Sequence, residues 1–177
     1  VQAERVAQAE RLAAENTRLR ALLDLAPALA VRTQAAEVQY EAADPYSRKL
    51  FINRGATQGL ALGAPVINES GVLGQVTRLY PLSAEVTLLT DKDAAIPVIN
   101  ARSQQRGAAY GGLAKGTAME LRFVAANADV KVDDLLQTSG VDGVYPAGLA
   151  VAKVLHVERQ AEGGFARVLL APTATAD

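Results

Sequence analysis

Residues Val1 to Ala26 form one uninterrupted helical pattern, and from Pro27 onward the pattern turns to β. That division limits what the chain can fold into more than any other feature. Gln2, Ala3, Glu4, Arg5, Ala7, Gln8, Ala13 and Ala14 are mostly good helix formers, and neither Gly nor Pro interrupts before Pro27. Pro27 is expected to end the helix, because its ring clashes with the preceding turn and it has no N–H to donate. At a rise of about 1.5 Å per residue the helix would be about 39 Å long.

Ala9, Asn16 and Leu23 recur at heptad spacing, with Leu12 and Leu19 at the d positions between them. One helix alone cannot bury such a stripe. In this register Glu15 falls at g and Arg20 at e, so in a parallel dimer Glu15 of one chain faces Arg20 of the other. Asn16 costs stability in an apolar seam, but two such amides pair across a dimer axis and disfavour other registers. The predicted dimerisation surface is therefore Ala9, Leu12, Glu15, Asn16, Leu19, Arg20 and Leu23. The seam is short for a coiled coil and modest in leucine, so the dimer it makes alone is expected to be weak. The competing use of the stripe is packing back onto the β region.

Beyond Pro27 the period becomes alternating. Strands are predicted at Leu50 to Asn53, Val72 to Tyr80, Glu85 to Leu89, Met119 to Val124, Leu149 to Glu158 and Phe165 to Leu170. Gly163-Gly164 reads as a tight hairpin turn. Pro97 demotes Ala95 to Ile99 to an edge strand or a bulge. Leu50 to Asn53 followed by Gly55, Gly59, Gly63 and Val66 has the rhythm of Leu135 to Ser139 followed by Gly140, Gly143, Gly148 and Val151. Each reads as a strand, a glycine-rich turn and a return strand. The expected fold is mainly β: an N-terminal coiled-coil helix followed by two small Greek-key-like β-barrel units. The predicted division is a helix at 1–27, a first barrel unit from 28–100 with 155–177, and a second from 101–154.

The remaining composition removes several functions. The formal net charge is -1, and Lys and Arg are scattered, so no nucleic-acid surface is expected. Aromatics are 5% of the chain with no Trp, which argues against a stacking platform. The lack of cysteine excludes disulfides, a thiolate metal site and a cysteine nucleophile. No apolar run approaches the ~18 residues of a membrane span, and no signal peptide is visible. The chain starts already inside a helix, so it reads as a soluble piece of a longer protein.

Chemistry is hard to assemble from what is left. Ser139 and the lone histidine His156, with Asp91 or Asp134, sketch a serine hydrolase, but no nucleophile-elbow glycines surround Ser139. Lys115 precedes Gly116 in Gly112 to Thr117, the wrong order for a phosphate loop. Asp91-Lys92-Asp93 lacks the glycine and distal glutamate of a calcium loop and reads as a solvated turn. No cofactor or metal is expected. A small-ligand domain is a further reading, which polar residues converging on one barrel mouth would favour.

The order of motifs is more specific than any one of them. Glu15-Asn16 to Leu22-Leu23 precedes Asp44-Pro45-Tyr46, Ile52-Asn53-Arg54-Gly55, Gly63-Ala64-Pro65-Val66-Ile67 and Gly71-Val72-Leu73-Gly74-Gln75-Val76. Val86-Thr87-Leu88-Leu89-Thr90-Asp91, Asp134-Leu135-Leu136-Gln137-Thr138-Ser139-Gly140 and Gly143-Val144-Tyr145-Pro146-Ala147-Gly148 follow. In this order the chain resembles the rod shape-determining MreC family over nearly its whole length. The family has Gly-Asp before the strand leading to Thr-Ser-Gly, whereas this chain has Asp133-Asp134, which puts that turn's geometry in question.

The resemblance implies the periplasmic region of a single-pass bacterial inner-membrane protein, with its membrane anchor upstream. It implies a non-catalytic scaffold of the cell-elongation machinery that dimerises and forms filaments. The implied partners are an elongation-specific penicillin-binding protein, which is a peptidoglycan transpeptidase, together with MreD and other membrane proteins. Tyr46, Tyr80, Tyr110 and Tyr145 are candidate partner contacts, since exposed aromatics often anchor interfaces.

Overall fold

The structure, a computed structural model, describes residues 2–28, 33–41, 47–112, 119–125, 127–141, 143–159 and 165–174. The chain divides into two units, Val1–Gln34 and Ala35–Asp177.

In the first unit the alanine-rich run forms helix α1, Gln2–Ala28. The helix takes in Pro27 instead of stopping before it. Placed one residue from the end, the proline forfeits one N–H bond with almost no helix left beyond it. Arg18 reaches back along α1 to Glu15 at 2.5 Å, an i, i+3 pair of the kind that stabilises exposed helices.

The second unit is mainly β and contains a five-stranded sheet and a closed barrel. The sheet comprises β1 (Val38–Glu41), β2 (Lys49–Ile52), β3 (Pro65–Asn68), β4 (Gly71–Leu79) and β5 (Ala84–Leu88). Its spatial order is β1-β2-β5-β4-β3, and all pairs are antiparallel. The chain predicts a barrel here, and the structure has an open sheet with β1 and β3 at its edges.

The central strand β5 is buried at every residue. Ala84, Val86 and Leu88 join Leu50, Ile52 and Val76 in one apolar cluster. On the opposite face of β5, Thr87 Oγ1 lies 2.9 Å from Thr77 Oγ1, and Thr77 donates to Glu85 Oε1 at 3.1 Å. Lys49 Nζ approaches the same carboxylate at 3.6 Å. Burial of Glu85 is thus tolerated because its charge and lone pairs are met across the strands.

The barrel comprises β6 (Ala95–Asn100), β7 (Arg106–Tyr110), β8 (Met119–Ala125), β9 (Leu135–Thr138), β10 (Ala150–Arg159) and β11 (Phe165–Pro172). These close in the order β10-β11-β8-β7-β6-β9, with β9 returning to β10. Ile96, Val98, Met119, Leu136, Val154, Val168 and Leu170 are fully buried, as the alternating pattern requires of inward positions.

Three expectations change here. First, β6 is an interior barrel strand paired on both sides, with β7 and β9, and is not an edge. Pro97 is tolerated because its carbonyl accepts from Ser139 N, on the side where β9 has already ended at Thr138. In an antiparallel ladder the N–H shares that side, so the missing donor falls beyond β9 and leaves the β7 ladder intact.

Second, the barrel draws on 95–172, so β6, β10 and β11 belong with the strands expected to form the second unit. The predicted pairing of 28–100 with 155–177 is replaced by a sheet at 38–88 and a barrel at 95–172. Third, the two glycine-rich stretches are not equivalent. β9 pairs directly with β10, whereas β2 is separated from β3 by β5 and β4.

The predicted turn at Gly163-Gly164 lies outside the described residues, while the strands on either side pair as far as Arg159↔Ala166. Two features stand out where the sheet runs into the barrel. Asp91, read from sequence as part of a solvated turn, is fully buried between β5 and β6. Its Oδ2 accepts from Arg48 N at 2.7 Å and its Oδ1 from Asp93 N at 2.9 Å, so backbone donors replace the water it loses. At Gly71, which has φ +136, any Cβ would stand 2.2 Å from the carbonyl oxygen of Ala150 at the start of β10. Only glycine fits there.

Candidate functional site

A chain without an obvious reaction centre must be read by the surfaces it offers. On α1, Ala9, Glu15, Asn16 and Arg20 are exposed. Leu12 is 62% and Leu19 48% exposed, so the two described leucines of the predicted seam stand in solvent. Leu23 belongs to the helix, but its side chain lies outside the described residues. Carrying the heptad backward puts Gln2 at a and Arg5 at d, so the apolar seam narrows toward the helix start. Glu15 is held by Arg18 of its own helix, and a pairing with a partner's Arg20 would have to share that carboxylate.

The four tyrosines fare differently. Tyr46 lies outside the described residues. Tyr80 is 41% exposed on the turn between β4 and β5. That turn is fixed from below: Ala56 N donates to Tyr80 O at 2.9 Å and Thr57 N to Pro81 O at 3.0 Å. Gly55 allows this approach, since a Cβ there would meet the Tyr80 oxygen at 2.2 Å. Tyr110 is half-buried beneath the Arg122 guanidinium, 4.3 Å from its ring centroid, a cation–π contact.

Tyr145 is 6% exposed and so cannot serve as a surface anchor. The loop carrying it is pinned to the barrel. Thr138 Oγ1 donates to Pro146 O at 2.5 Å and accepts from Leu149 N at 2.9 Å. Sequence reasoning missed Leu62, Leu82, Val141 and Leu155, all well exposed. For Leu155 the signal was available, because it follows the inward Val154 on an alternating strand.

One polar cluster stands out at the end of the barrel. The Asp134 carboxylate accepts from Asn100 Nδ2 at 2.9 Å, from Arg102 Nε at 2.8 Å and Nη2 at 2.9 Å, and from Lys131 N at 2.8 Å. Arg102 also reaches Asp129 Oδ1 at 2.9 Å. Hydrogen bonds from Arg102 hold the Asp134 carboxyl well below the usual carboxylate range, against the opposing effect of burial, with Asn100 and the Lys131 N–H adding to the shift. The same arginine lowers Asp129, and the two carboxylates raise Arg102. The cluster ties the β6–β7 turn to the loop before β9. It is a structural clamp with both Asp134 oxygens engaged, not a free acid or base.

The questioned turn lies beside this clamp. Asp133 has φ +72, the left-handed region that glycine adopts freely. Its N–H donates to Val154 O at 2.8 Å. This left-handed turn is therefore made here with aspartate, at some conformational cost.

The hydrolase residues are not assembled. The β9–β10 register places Gln137 opposite Ala150, which sets Ser139 and His156 roughly 20 Å or more apart at about 3.3 Å per residue. The oxygens of Asp91 and Asp134 are committed to the bonds above. No described helix is long and apolar enough to cross a membrane.

Comparison with known proteins agrees with this picture. A family model described as "Rod shape-determining protein MreC, barrel core" matches residues 38–177. Cell shape-determining protein MreC of Escherichia coli K12 is 34% identical over 160 residues, covering 90% of this chain and 43% of that protein. Its counterpart in Haemophilus influenzae is 36% identical over 165 residues, covering 93% of this chain and 47% of that protein. The chain thus spans less than half the length of these curated relatives. A solved structure of MreC superposes with a TM-score of 0.85 at 37% identity, covering 93% of each chain. The MreC in a solved complex between the penicillin-binding protein PBP2 and MreC from Helicobacter pylori has the same fold, with a TM-score of 0.60 at 18% identity over 81% of this chain and 90% of that one.

Proposed function

Because this chain belongs to the MreC family of rod shape-determining proteins, we propose that it is the periplasmic part of a single-pass inner-membrane scaffold that maintains rod shape without catalysing a reaction. In this reading α1 pairs two copies through Leu12, Asn16, Leu19 and Leu23. The β unit presents surfaces to further copies, to an elongation-specific penicillin-binding protein and to membrane partners such as MreD. The observation that carries the assembly role is the apolar stripe of α1, where Leu12 and Leu19 stand exposed on the face that a second copy would cover. The solved Helicobacter pylori complex with PBP2 supports a transpeptidase of that class as partner.

The seam is tested by Asn16→Cys, which gives the otherwise cysteine-free chain a single thiol at an a position. In a parallel dimer the two thiols face each other, and mild oxidation is expected to yield a disulfide-linked dimer. A chain that stays monomeric while its thiol reacts only with small reagents would overturn pairing through α1. A fluorophosphonate probe is expected to leave Ser139 unlabelled. Ser139-dependent labelling would restore the hydrolase.

A further inference from the structure

The six-stranded barrel is narrow enough to be filled by its own side chains, yet a cavity of about 300 Å³ opens at one end of it. Its cause lies in the strand pairing. The β7–β8 register runs from Tyr110↔Glu120 only as far as Ala108↔Arg122, although β7 begins at Arg106 and β8 continues to Ala125. At Gly107, beside this end of the ladder, there is no side chain to close the space. A Cβ added there would stand 3.0 Å from Leu121 Cδ1.

The walls and the mouth differ in chemistry. Val98, Leu121, Val124, Val130 and Leu136 supply an apolar interior, and each is buried. Gln105, Arg106 and Arg122 are the exposed polar residues of its lining, and among the described residues no carboxylate lines the cavity. Asn100 also borders it, but its amide is committed to Asp134 and to the turn at Arg102. Arg122 sits over Tyr110 and lies 3.8 Å from Glu120. The Arg106 side chain has no hydrogen bond or ion pair among the described residues. An apolar chamber with an unpartnered guanidinium at its rim matches a molecule that is apolar along its body and anionic at one end.

We propose that this barrel mouth binds a small amphiphilic carboxylate, with its hydrocarbon body among Val98, Leu121 and Leu136 and its head group on Arg106. A cavity of this volume is at the small end of ligand sites, which fits a body of about ten carbons or fewer. The proposal is independent of the scaffold role and stands or falls separately from it.

The test uses the full chain with methyl-labelled Val and Leu, titrated with sodium octanoate and, separately, with uncharged 1-octanol. The expected result is saturable shifts at the methyls of Val98, Leu121, Val124, Val130 and Leu136, with octanol binding about tenfold more weakly. Arg106→Gln should weaken octanoate about tenfold, leave octanol unchanged and leave the melting temperature unchanged. Gly107→Val should weaken both ligands by filling the chamber. Should that variant fail to fold, the Arg106→Gln comparison decides alone. Absence of saturating shifts at these methyls, or equal octanoate affinity in the parent and Arg106→Gln, overturns the proposal.

Discussion

Helix α1 and the β unit treat their apolar side chains in opposite ways. The helix leaves Val6, Leu12 and Leu19 in water, while the β unit buries Leu50, Val86, Leu136, Val154 and Leu170 almost completely. One region holds its fold through interior packing. The other holds its shape through local helix propensity and an i, i+3 ion pair, and keeps its apolar stripe available. A single chain thus separates a part whose stability is internal from a part whose apolar side chains stand exposed along one helix.

Substitutions that strike only one side of this contrast test it, beginning with the largest expected effect. Leu50→Ala removes a fully buried side chain from the sheet core and should cost about 2–5 kcal/mol in chemical denaturation. A cost under 1 kcal/mol would mean that the sheet does not depend on its cluster. Leu19→Glu should do the reverse. It should weaken self-association in sedimentation at least tenfold, roughly the effect of 1.4 kcal/mol, with the thermal transition of the β unit unmoved.

The third test concerns acid. The folded-state pKa of Asp134 is depressed, so its contribution to stability is full above its unfolded value near ~4 and is lost as pH falls below that value toward the folded one. Asp134→Asn should therefore flatten the fall in β-unit stability on acidification below about pH 4, while helix content at that pH follows the parent. A parallel fall in both proteins would locate acid sensitivity elsewhere. The smallest effect expected is from Asp133→Gly, which relieves a positive φ and should stabilise the β unit by about 0.5–1 kcal/mol in thermal melts.

Much of this architecture was legible in the chain because it is local. Helical spacing marked α1, and period-two alternation marked β2, β4, β5, β8, β10 and β11 within a residue or two. What sequence could not supply was which strands meet. Pro97 reads as an edge signal because proline lacks a donor, and only the end of β9 at Thr138 shows that no donor is missed there. The expected pairing of 28–100 with 155–177 failed for the same reason, since closure of the barrel rests on pairings such as β8 with β11 that local pattern does not encode. Tyr145 was expected at the surface from its residue type, whereas the bonds of Thr138 to Pro146 and Leu149 fold its loop inward. The cavity was equally hidden, because it arises where a ladder stops.

The contact of Gly71 with Ala150 has a mechanical consequence. A junction that admits no side chain leaves little room for sliding, and the buried Asp91 bonds stiffen the same connection. Sheet and barrel should therefore move as one rigid brick under load. If copies of this unit assemble as proposed above, compliance would then come from the joints between bricks rather than from within them.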